Sequence, residues 1–358
     1  MSVGPDAVAG DTDASVTNRN ALSDSTAPAR AQPPSGTRRG RAYTGRPLRT
    51  SRAIRASAWA LTAVGVAAPL LRRRVRLPPA GVIAAAAVAP AALAVAMPRT
   101  RVRDVALLSL NMWAYLAAYE LPHDEPEALA ARARMDYPIA ADRLIGFGTP
   151  PTLRLQHGLS TPGEINRSER VLVWCHWVWF LVPHASVLYV RLRAPERFES
   201  AAARMYAVFD LGAACYWVIP TAPPWWAARH GRFDSDGPPA LRRMMIEYGE
   251  QFWGERWPAL YDVLGGNPLA AMPSLHFATS LMSARLLMEA DPVAGAAGWT
   301  YALALGLALV YLGEHYAADL VAGAVLAEGV RRSAPRAAPL ARRAARVLLA
   351  LERRASGG

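Results

Sequence analysis

The sequence predicts an all-α, polytopic membrane helical bundle. Three observations predict it. Hydrophobic residues make up 53% of the 358, and the mean hydropathy is +0.10 although both ends of the chain are polar. Apolar runs close to the roughly 20 residues that cross a hydrocarbon core recur through the middle. Small residues run through several of these segments, as close helix packing in lipid requires.

Residues 1–52 are rich in Ala, Ser, Thr, Pro, Gly and Arg without an apolar period, and read as a disordered tail. They lack the apolar centre of a cleavable signal peptide, so the first membrane helix is expected to do the targeting. Candidate spans follow at Ile54–Leu71, Pro79–Met97, Val102–Tyr119, Val171–Val190, Ala201–Ile219, His276–Ala290, Val293–Gly313 and Tyr316–Val330. The first two make an N-terminal membrane hairpin over 53–99, and the other six a membrane domain over 100–332. The sixth is short and carries Arg285. Residues 333–358 form a basic tail that sets Leu340, Val347, Leu348 and Leu351 against Arg342, Arg343, Arg346 and Arg353. Such an amphipathic helix either lies on the inner leaflet or is solvated. No internal repeat is evident.

Formal net charge is +12, carried by arginine alone, since the chain has no lysine. Nucleotide bias and attraction to anionic lipid head groups both account for the excess. The arginines flank apolar runs instead of forming a stripe with interleaved aromatics, which argues against nucleic acid as a partner. Arg99, Arg101 and Arg103, then Arg191, Arg193 and Arg197, then Arg331 and Arg332 fall on one side if the last six spans alternate. The positive-inside rule makes that side cytoplasmic, in the plasma membrane, and leaves loops 120–169 and 220–275 outside. Arg72, Arg73, Arg74 and Arg76 run against this scheme. The tryptophans sit near segment ends, as an interfacial belt does. Cys175 and Cys215 lie in apolar stretches, which argues against a disulfide framework or a cysteine zinc site.

Two of the seven histidines stand out. Pro273 stops any preceding helix and Ser274 can cap the next, placing His276 in a first turn where free N–H groups favour an anion. Gly313 can break between two spans, and His315 and Asp319, four apart, share a helix face. A carboxylate there can hold one imidazole nitrogen and leave the other free to attack. His276 and His315 open the sixth and eighth spans, so alternation puts both at one face. His123, His157 and His230 read as surface. His176 and His184, on an apolar helix, read as packing histidines with hydrogen-bond partners. Asp210, near mid-span, needs a partner. The segment 135–156 reads as a cover for the site or an ordinary amphipathic connector. No set of residues shows clean metal-ligand spacing.

Pro273-Ser274-Leu275-His276, with Gly313-Glu314-His315-Tyr316 and Asp319, resembles the second and third signature motifs of the type 2 phosphatidic acid phosphatase superfamily. Pro220-Thr221-Ala222-Pro223-Pro224-Trp225-Trp226 is similar to its inositolphosphotransferase branch, which includes inositol phosphorylceramide synthases. The resemblance covers about 102–332 and implies a six-helix core. It implies that His315 is a nucleophile forming a phosphohistidine, that His276 protonates the leaving oxygen, that Asp319 orients His315, and that no metal or other cofactor is required. The implied partners are membrane lipids, with a lipid phosphate or phosphatidylinositol-like substrate. The phosphatase version carries a Lys-and-Arg motif and an arginine six residues before the last histidine; this chain has no lysine, and Leu309 at that position. The phosphate clamp then comes from the outer loop, where Arg229, His230, Arg232, Arg242 and Arg243 are available. Ser274, Trp225, Trp226, Arg229 and Arg243 are the expected substrate-binding residues. The implied activity is head-group transfer, with a lipid phosphate phosphatase or a non-catalytic phospholipid-binding protein as rivals.

Overall fold

The computed structural model describes residues 46–233 and 241–357. The expected tail over 1–52 lies mostly outside them, and its last residues belong to the first helix. Helices α1 (Arg46–Val75) and α2 (Pro79–Ala96) form an antiparallel hairpin. Their contact is built from small residues: a side chain at Gly65 would meet Ala89 Cβ and the Ala85 carbonyl, each at 2.5 Å. Helix α3 (Arg101–Glu120) is capped by Thr100 and fastened to the hairpin by Trp113 Nε1, which donates to the Gly65 carbonyl at 3.3 Å.

The arginines that resisted the orientation scheme have local partners. Arg72 Nε and Arg73 Nη2 donate to Asp124 at 2.7 and 2.6 Å, and Glu120 lies 3.7 Å from Arg72. Two of the four positive charges at that end are thereby offset.

Short helices α4 (Pro126–Arg132), α5 (Asp136–Ile145) and α6 (Pro151–Leu159) follow at the same end. The fourth expected span is a bent pair, α7 (Arg167–Val178) and α8 (Val182–Arg193), meeting at 59°. Pro183, in the first turn of α8, supplies no N–H to the preceding turn and crowds it, so the helix breaks there. Then come α9 (Phe198–Val218), α10 (Pro224–Arg229), α11 (Met244–Trp253), α12 (Trp257–Leu264), α13 (Leu275–Ala290), α14 (Pro292–Tyr311) and α15 (Ala317–Ser356). By length and apolar composition α1, α2 and α14 can each cross a membrane, and the bent pair of α7 and α8 is long and apolar enough for a broken span or a re-entrant loop. With α3, α9, α13 and α15 they make a six-helix core plus the N-terminal pair.

Helix α13 is the central element and packs on α8, α9, α14 and α15. Its Leu275, Ala278, Met282 and Leu286 join Val187, Val190, Met205, Phe209, Leu305 and Leu309 in one buried cluster. Two polar pairs pin it inside: Trp179 Nε1 donates to Thr279 Oγ1 at 2.9 Å and Ser186 Oγ to Ser283 Oγ at 3.0 Å. Asp210 is not paired inside the bundle as expected. It faces outward from α9 and makes no hydrogen bond or ion pair among the described residues.

The C-terminal stretch is no separate tail. Helix α15 runs on through Pro335 and Pro339, packs Leu348 and Ala355 on Ile54, Ala58, Val95 and Ala96, and pairs Glu352 with Arg99 and Arg103. Leu340 and Val347 stay exposed beside its arginines. The start of α3, the ends of α8 and of the apolar part of α15, and the start of α9 bring Arg101, Arg103, Arg191, Arg193, Arg331 and Arg332 to one end of the bundle, while Arg72, Arg73 and Arg243 lie at the cavity end. The histidine motifs lie at that cavity end too.

Candidate active site

The loop from α14 to α15 is shaped to deliver His315. The Leu309 carbonyl accepts from both Glu314 N and His315 N, at 3.1 and 3.0 Å, and closes the turn. Gly313 takes φ +81° there, and a Cβ would fall 2.5 Å from Leu241 Cδ2, so only glycine fits. Leu309, where the phosphatase pattern has arginine, is fully buried and supplies only this carbonyl and apolar packing. Asp319 Oδ2 accepts from Tyr316 N at 2.9 Å and lies 3.1 Å from His315 Nδ1. The expected pairing is present, inside protein, but not on a shared helix face: His315 lies just before Tyr316, the cap of α15, and Asp319 reaches back to it from the first turn; His315 is 4% exposed and Asp319 0%.

The second motif is joined to the first through backbone. Ser274 N donates to the Asp319 carbonyl at 3.0 Å, and Gly323 lies so close that a Cβ would be 2.6 Å from the Ser274 carbonyl oxygen. Tyr216 Oη donates to the Pro273 carbonyl at 2.7 Å. The Pro220–Trp226 stretch braces the same loop: Thr221 N donates to the Leu269 carbonyl at 2.9 Å, and Ala271 N to the Thr221 carbonyl at 3.1 Å. The outcome is His276 Nδ1 at 3.2 Å from His315 Nε2. A neutral imidazole offers one donor and one acceptor. His315 Nδ1–H is committed to Asp319, so its Nε2 presents the lone pair and His276 Nδ1 carries the hydrogen between them.

The two imidazoles line a cavity of about 350 Å³. Its deeper wall is apolar, with Met112, Leu116, Phe180, Pro183 and Phe209; its outer wall carries Glu120, Trp225, Arg243, Tyr261, Asn267 and Glu314. Arg243 stands 3.7 Å above the Trp225 ring centre, donates to Tyr261 Oη at 2.7 Å and pairs with Glu314 at 3.1 Å. Buried Gln156 fixes this corner: its Oε1 accepts from Arg242 N at 2.8 Å, and its Nε2 donates to the Tyr311 carbonyl at 2.8 Å.

Of the expected substrate contacts, Trp225 and Arg243 reach the cavity and three residues do not. Ser274 is fully buried and its Oγ accepts from Phe277 N, so it is a helix cap. Trp226 packs on Leu129, Ala222 and Leu269, with His230 stacked against it. Arg229 is exposed beside Trp225 and outside the lining. Arg232 and Arg242 are held by Asp136 and Glu247. His176, expected to be a hydrogen-bonded packing residue, lines the cavity; its ring stacks on His276 with centroids 4.8 Å apart, and its buried Nδ1 has no partner. Glu314 stood in plain view beside His315, but nothing local distinguished it from a surface carboxylate.

The family model of the PAP2 superfamily matches residues 140–330, more than half of the chain. The chain belongs to the PAP2 superfamily. No curated protein and no solved structure matches it. As a PAP2 protein it is a multi-pass membrane protein of phosphatase or phosphotransferase type, acting on lipids. The match begins inside α5, ends in α15 and leaves out the α1–α2 hairpin.

The matched stretch also includes Asp142 of α5, which caps α15 from outside it. Asp142 is 0% exposed, and its Oδ1 accepts from Ala318 N at 2.8 Å, one residue from Asp319. Burial, with Asp319 adding to it, pushes the Asp142 carboxyl up to about 6. A raised acid favours the folded state while protonated, so this contribution is whole below the unfolded value near 3.8 and is lost as pH rises through about 6. The loss is on the order of 2–3 kcal/mol. Asp142→Asn keeps an acceptor for Ala318 without the charge. It is expected to gain stability at pH 7.5 but not at pH 4.5, as thermal unfolding at the two pH values would read.

Proposed function

We propose that this PAP2 protein transfers a phosphate-bearing head group between lipid alcohols, through a phosphohistidine on His315. The observation that carries the reading is His276 Nδ1 at 3.2 Å from His315 Nε2, with Asp319 holding the other nitrogen of the nucleophile. In the first step His315 Nε2 attacks phosphorus, the phosphorus–oxygen bond to the leaving alcohol breaks, and His276 gives that oxygen its proton. In the second step the acceptor hydroxyl attacks phosphorus, the phosphorus–nitrogen bond breaks, and His276 takes the acceptor's proton. Arg243 holds the phosphoryl oxygens, and Asp319 stabilises the charge that develops on His315.

Charge and lining favour a phosphodiester over a free phosphate monoester. Among the described residues the cavity offers one arginine, already paired, against two glutamates. That balance suits a singly charged diester better than a dianion. Hydroxyl-binding groups such as Tyr261, Asn267 and Glu314 suit a head group or acceptor rich in hydroxyls, of the phosphatidylinositol kind. The apolar wall suits a lipid chain entering sideways, and the arginines at the opposite end support a site on the extracytoplasmic face of the plasma membrane. The basic half of α15, with Leu340 and Val347 exposed, then lies on the inner leaflet.

The test is incubation of purified protein with labelled phosphatidylinositol, with and without lipid acceptors, followed by product analysis. Label moving to the acceptor is the expected result. Release of water-soluble phosphate in the absence of any acceptor would select a phosphatase instead. Failure to form any acid-labile phosphate on the protein would leave it a lipid-binding protein.

A further inference from the structure

Among the residues lining the cavity, His176 is left without a task by the two-step reaction, and its surroundings give it one. It lies on the last turn of α7, where the broken span turns aside, and only 6% of it is exposed. Its Nδ1 is shielded from solvent and has no partner, and among the described residues its ring makes no hydrogen bond to the protein. The other ring nitrogen, Nε2, likewise has no protein partner among the described residues but is not sealed off as Nδ1 is, so it is the nitrogen that a ligand in the cavity reaches and whose partner the ligand supplies. The ring is stacked on His276 with planes 30° apart and centroids 4.8 Å apart, so the edges of the two imidazoles run side by side. Whatever oxygen exchanges a proton with His276 therefore arrives with its neighbouring atoms against His176. Trp179, three residues on, packs on His276 at 4.1 Å and is itself held by Thr279, which keeps the stack from sliding.

We propose that His176 is a third substrate-contacting imidazole, which reads the alcohol partner by hydrogen-bonding the hydroxyl next to the one that reacts. The substrate class it selects is a polyol or vicinal diol over a simple alcohol. The proposal rests on the phosphohistidine reading above. His176 takes no proton in it: the acceptor's proton goes to His276 as its oxygen bonds to phosphorus and the bond to His315 breaks. Glu314, Tyr261 and Asn267 on the outer wall give the remaining hydroxyls of such an alcohol further partners.

The experiment uses full-length protein, ³²P-labelled phosphatidylinositol as donor, and glycerol or 1-propanol as acceptor in parallel. Wild type is expected to form acid-labile label on His315 and to transfer to glycerol in preference to propanol. His176→Phe and His176→Leu, which keep bulk but lose the nitrogens, should still form the label while the glycerol-to-propanol ratio falls about tenfold, the effect of one lost hydrogen bond. His176→Gln, with a donor and an acceptor restored, should recover part of the ratio. General damage to the fold lowers both products together and leaves the ratio alone. A labelled protein whose ratio is the same in wild type and in the Phe and Leu variants would overturn the role of His176 by itself. A wild type that takes no label would bring down the phosphohistidine reading and this proposal with it.

Discussion

Replacing His315 with alanine is expected to lower turnover by at least about 10⁴-fold and to abolish the acid-labile phosphate. The protein should stay folded. The loop that carries residue 315 is held by the Leu309 carbonyl, by Gly313 and by Asp319, none of which needs the imidazole ring. Loss of the ring leaves His276 Nδ1 without its acceptor, a destabilisation of about 1–3 kcal/mol. Replacing His276 with glutamine makes an instructive contrast. A phosphodiester with a p-nitrophenol leaving group needs no proton to depart, so the His276 variant should still release p-nitrophenol in a first-turnover burst, with the second step slowed for want of a base, whereas the His315 variant should release none. Comparable bursts from the two variants would remove the distinction between nucleophile and acid.

The second large effect is expected at Asp319. In Asp319→Asn the amide oxygen can still accept from both Tyr316 N and His315 Nδ1, and the amide nitrogen takes the place of Oδ1, which is buried and unpartnered. Geometry is retained and the charge is lost. The imidazolium that forms during transfer then lacks its counter-ion, so kcat should fall about 10³- to 10⁴-fold with little change in KM. Asp319→Ala should lose stability as well, because Tyr316 N–H and His315 Nδ1–H both lose their acceptor. Steady-state kinetics on the Asn variant decide the matter: activity within tenfold of wild type would reduce Asp319 to a helix cap.

The parts of the site that were legible in the sequence are those written locally. His276 and His315 each stand at a helix start marked by Pro273 or Gly313, and alternation of the spans places both at one face. The pairing of His315 with Asp319 is reached by a different route from the shared helix face expected: His315 precedes the cap Tyr316, and Asp319 in the first turn of α15 reaches back to it. Arg243 could only be one of five candidates, because its selection depends on Gln156 joining the α14–α15 turn to the α11 loop across 86 residues of sequence. His176 was passed over because one histidine on an apolar helix carries no spacing signal; the break at Trp179–Leu181 is what brings it to the cavity. That break escaped because hydropathy runs through it unchanged. The length of α15 escaped for the opposite reason: a change in composition after Val330 suggested a boundary that the backbone does not make.

The apolar wall has a consequence for how this protein meets its substrate. Phe180 and Leu116 line the cavity and remain 42% and 38% exposed, so protein does not close that wall off, which suits access from the bilayer. A substrate that arrives along that wall never has to leave the bilayer. What governs saturation is then its mole fraction within the membrane plane, and added detergent should slow the reaction by surface dilution even when the total amount of lipid in the tube is held constant.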